Sequence, residues 1–181
     1  FLGLSLARNA RAPSEVELFA DGAHVATGAY EIGDPGLNSE VATSIEATLH
    51  FASGPLEADL HAYVADYDGF IDLRPAGADD PGSGLPVFGY VQTGARFRGF
   101  EAQAEYRLWE SGRRNLTLSG AADWVRAATD LGPAARIPPW SVAAGLDWTS
   151  PRFDAGLRVR HVGEQARTAA FERPTDAYTL V

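Results

Sequence analysis

Cysteine and methionine are both missing from the sequence, which excludes disulfide staples, thiolate metal sites and a cysteine nucleophile without fixing the compartment. Basic residues are scarce: Lys and Arg together number 15 against 24 Asp and Glu, a formal net charge of −9. That balance, with no basic stripe, excludes non-specific binding to nucleic acid. No apolar run approaches the ~20 residues of a transmembrane helix, so any crossing of a membrane has to be made by strands. Catalytic signatures are absent as well. There is no G-x-S-x-G, no phosphate-cradling glycine loop, no H-E-x-x-H and no C-x-x-C, so no enzyme is expected and the scattered carboxylates read as wall polarity. Phe1 follows no initiator Met or signal-peptide core, and the chain stops in mid-pattern at "DAYTLV". The 181 residues, enough for one ordinary domain, are therefore expected to be a piece of a longer protein.

What the sequence does have is alternation. In a β-strand every second side chain shares a face, so "WSVAAGLDW" puts Trp140, Val142, Ala144, Leu146 and Trp148 on one side and Ser141, Ala143, Gly145 and Asp147 on the other. One face is wholly apolar and the other small or polar. A helix would need apolar spacings of three and four instead. Glu40–Phe51 repeats the pattern, with Val41, Ile45, Leu49 and Phe51 against Glu40, Glu46 and His50. So do Leu56–Val64, Phe100–Leu108, Leu116–Trp124 and Phe153–Val159. Aromatic rings recur at the strand ends as Phe51, Tyr106, Trp124, Trp140, Trp148 and Phe153. With strands tilted by ~40°, Trp140 and Trp148 stand roughly 20 Å apart along the normal, close to the ~25 Å apolar band of an outer-membrane barrel.

The connections alternate too. They are short at Ser53–Pro55, Ser111–Arg114 and Ser150–Arg152, and long at Asn9–Asn38, Arg74–Pro86, Asp130–Pro139 and Ala166–Thr175. Transmembrane barrels sort short periplasmic turns from long extracellular loops, whereas a soluble meander has no reason to do so. The expected fold is therefore all-β, an antiparallel transmembrane β-barrel segment of about eight strands. Trp124, Tyr106 and Phe153 are assigned, with Trp140 and Trp148, to lipid-facing aromatic girdles. A soluble β-rich sandwich or solenoid also alternates with period two and remains the alternative.

The stretch "RNARAPSEVELFADGAHVATGAYEIGDPGLNSEVATSIEATLHF" resembles the C-terminal half of the barrel of TonB-dependent outer-membrane receptors. The matching segments are Arg11–Ser14 (R-x-P-S), Glu17–Phe19, Gly33–Leu37 and Asn38–Glu40. "ARFRGFEAQAEYRL", "RIPPW" and "RPTDAYTLV" follow in the family's order. The resemblance covers essentially the whole chain. It implies that residues 1–181 are part of a larger, 22-stranded barrel, with the plug domain and the final strands lying outside the sequence. It also implies the outer membrane of a Gram-negative bacterium. The partners it implies are outer-membrane lipid, the protein's own plug, TonB of the inner-membrane energising complex, and a metal or metal-chelate substrate.

Within the family, "ELFADGAHVATGAYEIGDP" is most similar to the branch that handles zinc or haem. His24 lies among Asp21, Glu31 and Asp34 in the longest outer loop, with Asp21 and Glu31 as its candidate co-ligands, and imidazole with carboxylates suits zinc, at bond lengths near ~2.0–2.2 Å. The simpler reading of the same histidine is a solvated residue in a polar loop. No resident cofactor is expected, any metal being cargo. His50 and His61 flank the Ser53–Pro55 turn on the lumen face, where contact with the plug is expected, and His161 lies near the outer end of its strand. Besides zinc or haem uptake, a siderophore receptor of the same architecture and a soluble β-rich binding domain stay open.

Overall fold

In the computed structural model, which describes residues 1–181, the alternating stretches pair into one antiparallel wall. Its elements are β1 (Leu2–Arg11), α1 (Glu15–Phe19), β2 (Asp21–His24), β3 (Ala29–Ile32), β4 (Glu40–Ser53), β5 (Leu56–Pro75), β6 (Val87–Ser111), β7 (Arg114–Thr129), β8 (Gly132–Pro133), β9 (Ser141–Thr149), β10 (Ala155–Val162) and β11 (Tyr178–Leu180). Eight of the strands form a meander in the order β1-β4-β5-β6-β7-β9-β10-β11, the number read from the sequence. The three others, β2, β3 and β8, belong to long loops. No helix is long and apolar enough to cross a membrane.

The short turns are tight hairpins. Ser53 pairs with Leu56 and Ser111 with Arg114, leaving two residues at each tip. The first tip residue is a glycine at positive φ in both, Gly54 at 57° and Gly112 at 57°. A type II′ hairpin needs this conformation, and glycine adopts it without penalty.

Only 17 of 181 residues are buried, because a single sheet has no second layer to pack against. The apolar face is left open, with Leu4 at 77% and Leu6 at 75% exposure. A sandwich would cover that face with a facing sheet about 10 Å away; none forms here, so the wall needs an apolar surrounding. The buried groups gather instead at the long-loop end, where Glu31, Glu40, Asp72, Ala127 and Thr129 lie under the loops.

The apolar band ends along a slanted line. Across the register, Leu6, Ile45 and Val64 continue into Arg98 and Arg126. Two rows of that face nearer the short turns, Leu2, Leu49, Leu60, Ala102, Ala122 and Val142 continue into His161 and Thr179. Tilted strands require this, since at ~40° each neighbour is displaced roughly 3 Å along the normal.

Three features differ from expectation. β5 and β6 run 20 and 25 residues, well past the apolar stretches Leu56–Val64 and Phe100–Leu108, so they rise beyond the band as a wall of mixed polarity in which Tyr67, Phe70 and Phe97 cluster. Bulges interrupt the register between Tyr67 and Phe70 and between Arg107 and Trp109. The second turns Trp109 onto the apolar face opposite Leu116, where strict alternation would put it in the lumen. Phe153, expected to open a strand, lies instead in the turn before β10.

Candidate functional site

The long first loop is tied down by its own sequence. Arg11, the last residue of β1, donates to Glu17 at 2.8 and 3.1 Å and to Glu40 at 3.3 Å. Ser14 caps α1: its hydroxyl accepts from the Glu17 N–H at 3.3 Å, while the Ser14 N–H donates to the Glu17 carboxylate at 2.7 Å. This is a capping box, and it explains why R-x-P-S is followed by Glu17. The Gly33–Leu37 stretch then folds back, with Gly33 N–H on Ala20 O at 2.7 Å and Asp34 N–H on Glu17 O at 2.9 Å. Gln92 of β6 closes the loop by donating to Asn38 O at 2.8 Å and Gly69 O at 2.9 Å.

Bonding to Arg11 is the main cause that holds the Glu17 carboxyl below its ordinary value of 4.5. A carboxyl whose folded pKa is depressed stabilises above its unfolded pKa, and the contribution is lost as pH falls through the folded value. Amides of residues 14–20, corrected for intrinsic exchange, are therefore expected to lose protection below about pH 4.5 in the wild type but not in Glu17→Gln. Equal pH dependence in both proteins would remove Glu17 as the titrating group.

The sequence grouped His24, Asp21 and Glu31; the hairpin of β2 and β3 brings together only two of them. His24 Nδ1 lies 2.9 Å from Glu31 Oε1. Asp21 is on the opposite face of the hairpin, because Asp21 and His24 differ in strand parity, and there it accepts from Tyr30 Oη at 2.8 Å. Glu31 is buried where β3 pairs in parallel with β6. Its oxygens also accept from Thr27 Oγ1 at 2.7 Å and Tyr90 Oη at 2.9 Å. Burial pushes the Glu31 carboxyl up, and the bonds from Thr27, His24 and Tyr90 outweigh that and leave it below 4.5. Burial, with the bond to Glu31, raises Tyr90 to about 12. Glu31 is thus bonded through both oxygens and holds the His24 ring in place. With Nδ1 bonded to a carboxylate, the neutral ring carries its proton there and leaves the Nε2 lone pair free.

The lumen face carries most of the charged pairs of the wall. Ser141 donates to Asp123 and accepts from Arg160 at 2.9 and 3.1 Å, and Arg158 meets Asp147 at 3.4 Å. Near the Gly54 turn, His50 Nδ1 lies 2.7 Å from Asp59, and His61 lies 3.6 Å from Glu46. Glu57 joins His50 and Asp59, their ligand atoms falling within 4.8 Å of one another. The sequence placed the two histidines here but missed this trio, which arises only when Ser53–Leu56 pairing sets Asp59 opposite His50.

The opposite face carries the aromatic rims. At the short-turn end Trp148 stacks on Trp109, ring centroids 5.6 Å apart, with Tyr106 and Phe153 also exposed there. At the long-loop end Trp124 stacks on Phe100 at 6.0 Å, and Trp140 packs against His161 at 5.5 Å. Gly163 lets Trp140 lie flat, for a Cβ at that position would run into the indole.

The family described as "TonB dependent receptor-like, beta-barrel" matches residues 2–181. Among solved structures, the copper transporter OprC is similar at 20% identity and a TM-score of 0.82, over 98% of this chain and 27% of that one. A ferric enterobactin receptor from Pseudomonas aeruginosa is similar at 17% identity and a TM-score of 0.64, over 98% and 29%. The FrpB iron transporter from Neisseria meningitidis is similar at 14% and 0.56, over 83% and 25%. The chain thus spans between 25% and 29% of the length of these proteins.

Proposed function

The chain belongs to the TonB-dependent receptor-like β-barrel family, a family of receptors and not of enzymes, and on that premise we propose that it forms part of the wall of an outer-membrane receptor. That receptor takes up a metal ion or metal chelate with energy from TonB, and zinc or haem is the favoured cargo. The observation that carries the membrane reading is the open apolar face between the Trp109–Trp148 and Trp124–Trp140 rims, which matches the band of a barrel in lipid. Its polar reverse, with His50, Asp59 and Arg160, faces the space that a plug occupies.

The zinc reading is supported by His24. Its side chain is 53% exposed, on the outer loop cluster, with Nδ1 held by a buried carboxylate. Metal-binding histidines are commonly held this way, which fixes the ring and raises its basicity. Zinc takes four ligands, so the others come from neighbouring loops, the plug or the chelate itself. Asp21 has no part in this site.

In the full-length receptor, zinc titration is expected to show His24→Ala binding at least about 10- to 100-fold more weakly than the wild type, with a smaller loss for Glu31→Gln. An unchanged affinity in His24→Ala would make it an ordinary loop residue. Saturable uptake of a ferric chelate without zinc binding would return the siderophore reading.

A further inference from the structure

Arg98 and Arg126 stand directly opposite each other across β6 and β7, and both are exposed. Like charges in that position repel, and neither arginine is within 4.0 Å of a carboxylate, unlike their neighbour Arg96, which is bonded to Asp66 at 2.7 and 3.0 Å. Both lie on the apolar face. Arg98 is two residues beyond Phe100 and Arg126 two beyond Trp124, so each sits about 7 Å outward of the aromatic rim along its strand. The Arg98 guanidinium lies 6.0 Å from the Trp124 ring centroid, a cation–π contact that fixes its stem. Arg126 also borders a hollow whose charged lining, Arg126, Arg167 and Glu164, is net positive.

Two facing guanidiniums without a carboxylate, just past the apolar band and on its lipid side, are complementary to an anion in the headgroup layer. We propose that Arg98 and Arg126 together bind a phosphate group on an outer-leaflet lipid, with the acyl chains lying along the Phe100, Ala122 and Val142 surface below. Directly opposed residues in an antiparallel pair have Cα atoms about 4.5–5.5 Å apart, close enough for both planar forks to grip one phosphate, and arginine is suited to bidentate bonding of that group. The bound phosphate turns the repulsion between the pair into two charge-assisted contacts. The inference rests on the barrel lying in an outer membrane, as proposed above, and not on the identity of the cargo.

The test uses the full-length receptor in detergent, titrated with lipid A carrying its phosphates and with dephosphorylated lipid A. Binding is followed by native mass spectrometry and by the fluorescence of the neighbouring tryptophans. The wild type is expected to prefer the phosphorylated lipid, and Arg98→Gln and Arg126→Gln to lose roughly tenfold each in affinity for it. The Arg98→Lys/Arg126→Lys protein is expected to keep part of the preference, and lumen-facing Arg158→Gln all of it. Undiminished preference in Arg98→Gln/Arg126→Gln would overturn the site. Equal loss in Arg158→Gln would show a global effect and overturn it too. If sodium phosphate alone changes the tryptophan fluorescence as the lipid does and displaces the lipid from the wild type, the ligand is a soluble anion and the lipid assignment fails. None of these failures touches zinc binding at His24, which is measured separately.

Discussion

Ala144→Arg is expected to destabilise the full-length barrel in lipid by about 2–4 kcal/mol, and Ala143→Arg by much less. The two residues are adjacent on β9 but point to opposite sides of the sheet. Ala144 lies midway between Trp140 and Trp148, on the face where Val142 and Leu146 are exposed, so a guanidinium there meets hydrocarbon. Ala143 pairs with Ala121 and Arg160 on the lumen face, beside the Ser141–Asp123 network. Folding free energies of the two variants in lipid vesicles decide the matter. Equal losses would mean that the faces are assigned the wrong way round.

The second large loss is expected at the long-loop end, from Arg74→Ala. Arg74 and Asp72 form an ion pair at 2.6 Å, with side-chain exposures of 12% and 9%. The same guanidinium donates to Thr129 Oγ1 at 2.9 Å and Pro133 O at 3.2 Å, joining β5 to β7 and β8 across β6. Truncation strands the Asp72 carboxylate without its cation, a change that costs about 3–5 kcal/mol when a buried pair is broken. Replacing both residues with leucine is expected to cost less, because no charge is then left unpaired. Denaturant unfolding of the full-length receptor measures this difference. A single variant no worse than the double would show the pair to be well hydrated.

The wall was legible in the sequence because lipid and water sort side chains with the strand's own period of two. Trp140, Val142, Leu146 and Trp148 could be placed on one face, and Ser141 and Asp147 on the other, before any pairing was known. Trp109 could not, because the adjacent apolar pair Leu108 and Trp109 breaks the alternation without showing which of the two turns to the apolar face. The outer parts of β5 and β6 were missed for a related reason. Beyond the band both faces are polar or mixed, as in Tyr67, Asp68, Gly69 and Phe70, so the periodic signal fades although the hydrogen bonding continues. At the candidate metal site, proximity in sequence grouped His24 with Glu31, and the fold does bring these two together. Asp21 was grouped wrongly, since three residues along a strand is an odd number of steps and changes face. The trio of His50, Glu57 and Asp59 needed the register of β4 against β5, which only the Gly54 turn fixes.

The pairing of β3 with β6 bears on the order in which the protein assembles. Every strand of the meander pairs with its neighbour along the path, three of the seven pairs through short turns, and such hairpins form early because little loop entropy opposes them. β3 is the exception, for Tyr30 has to wait for Val87 and Glu31 for Phe88. The cap that holds His24 therefore closes only after the β4–β5 and β5–β6 hairpins are in place. Until then the Glu31 carboxylate has only its local partners, Thr27 and His24, and no Tyr90 to receive from, so the hairpin docks on a wall that already stands.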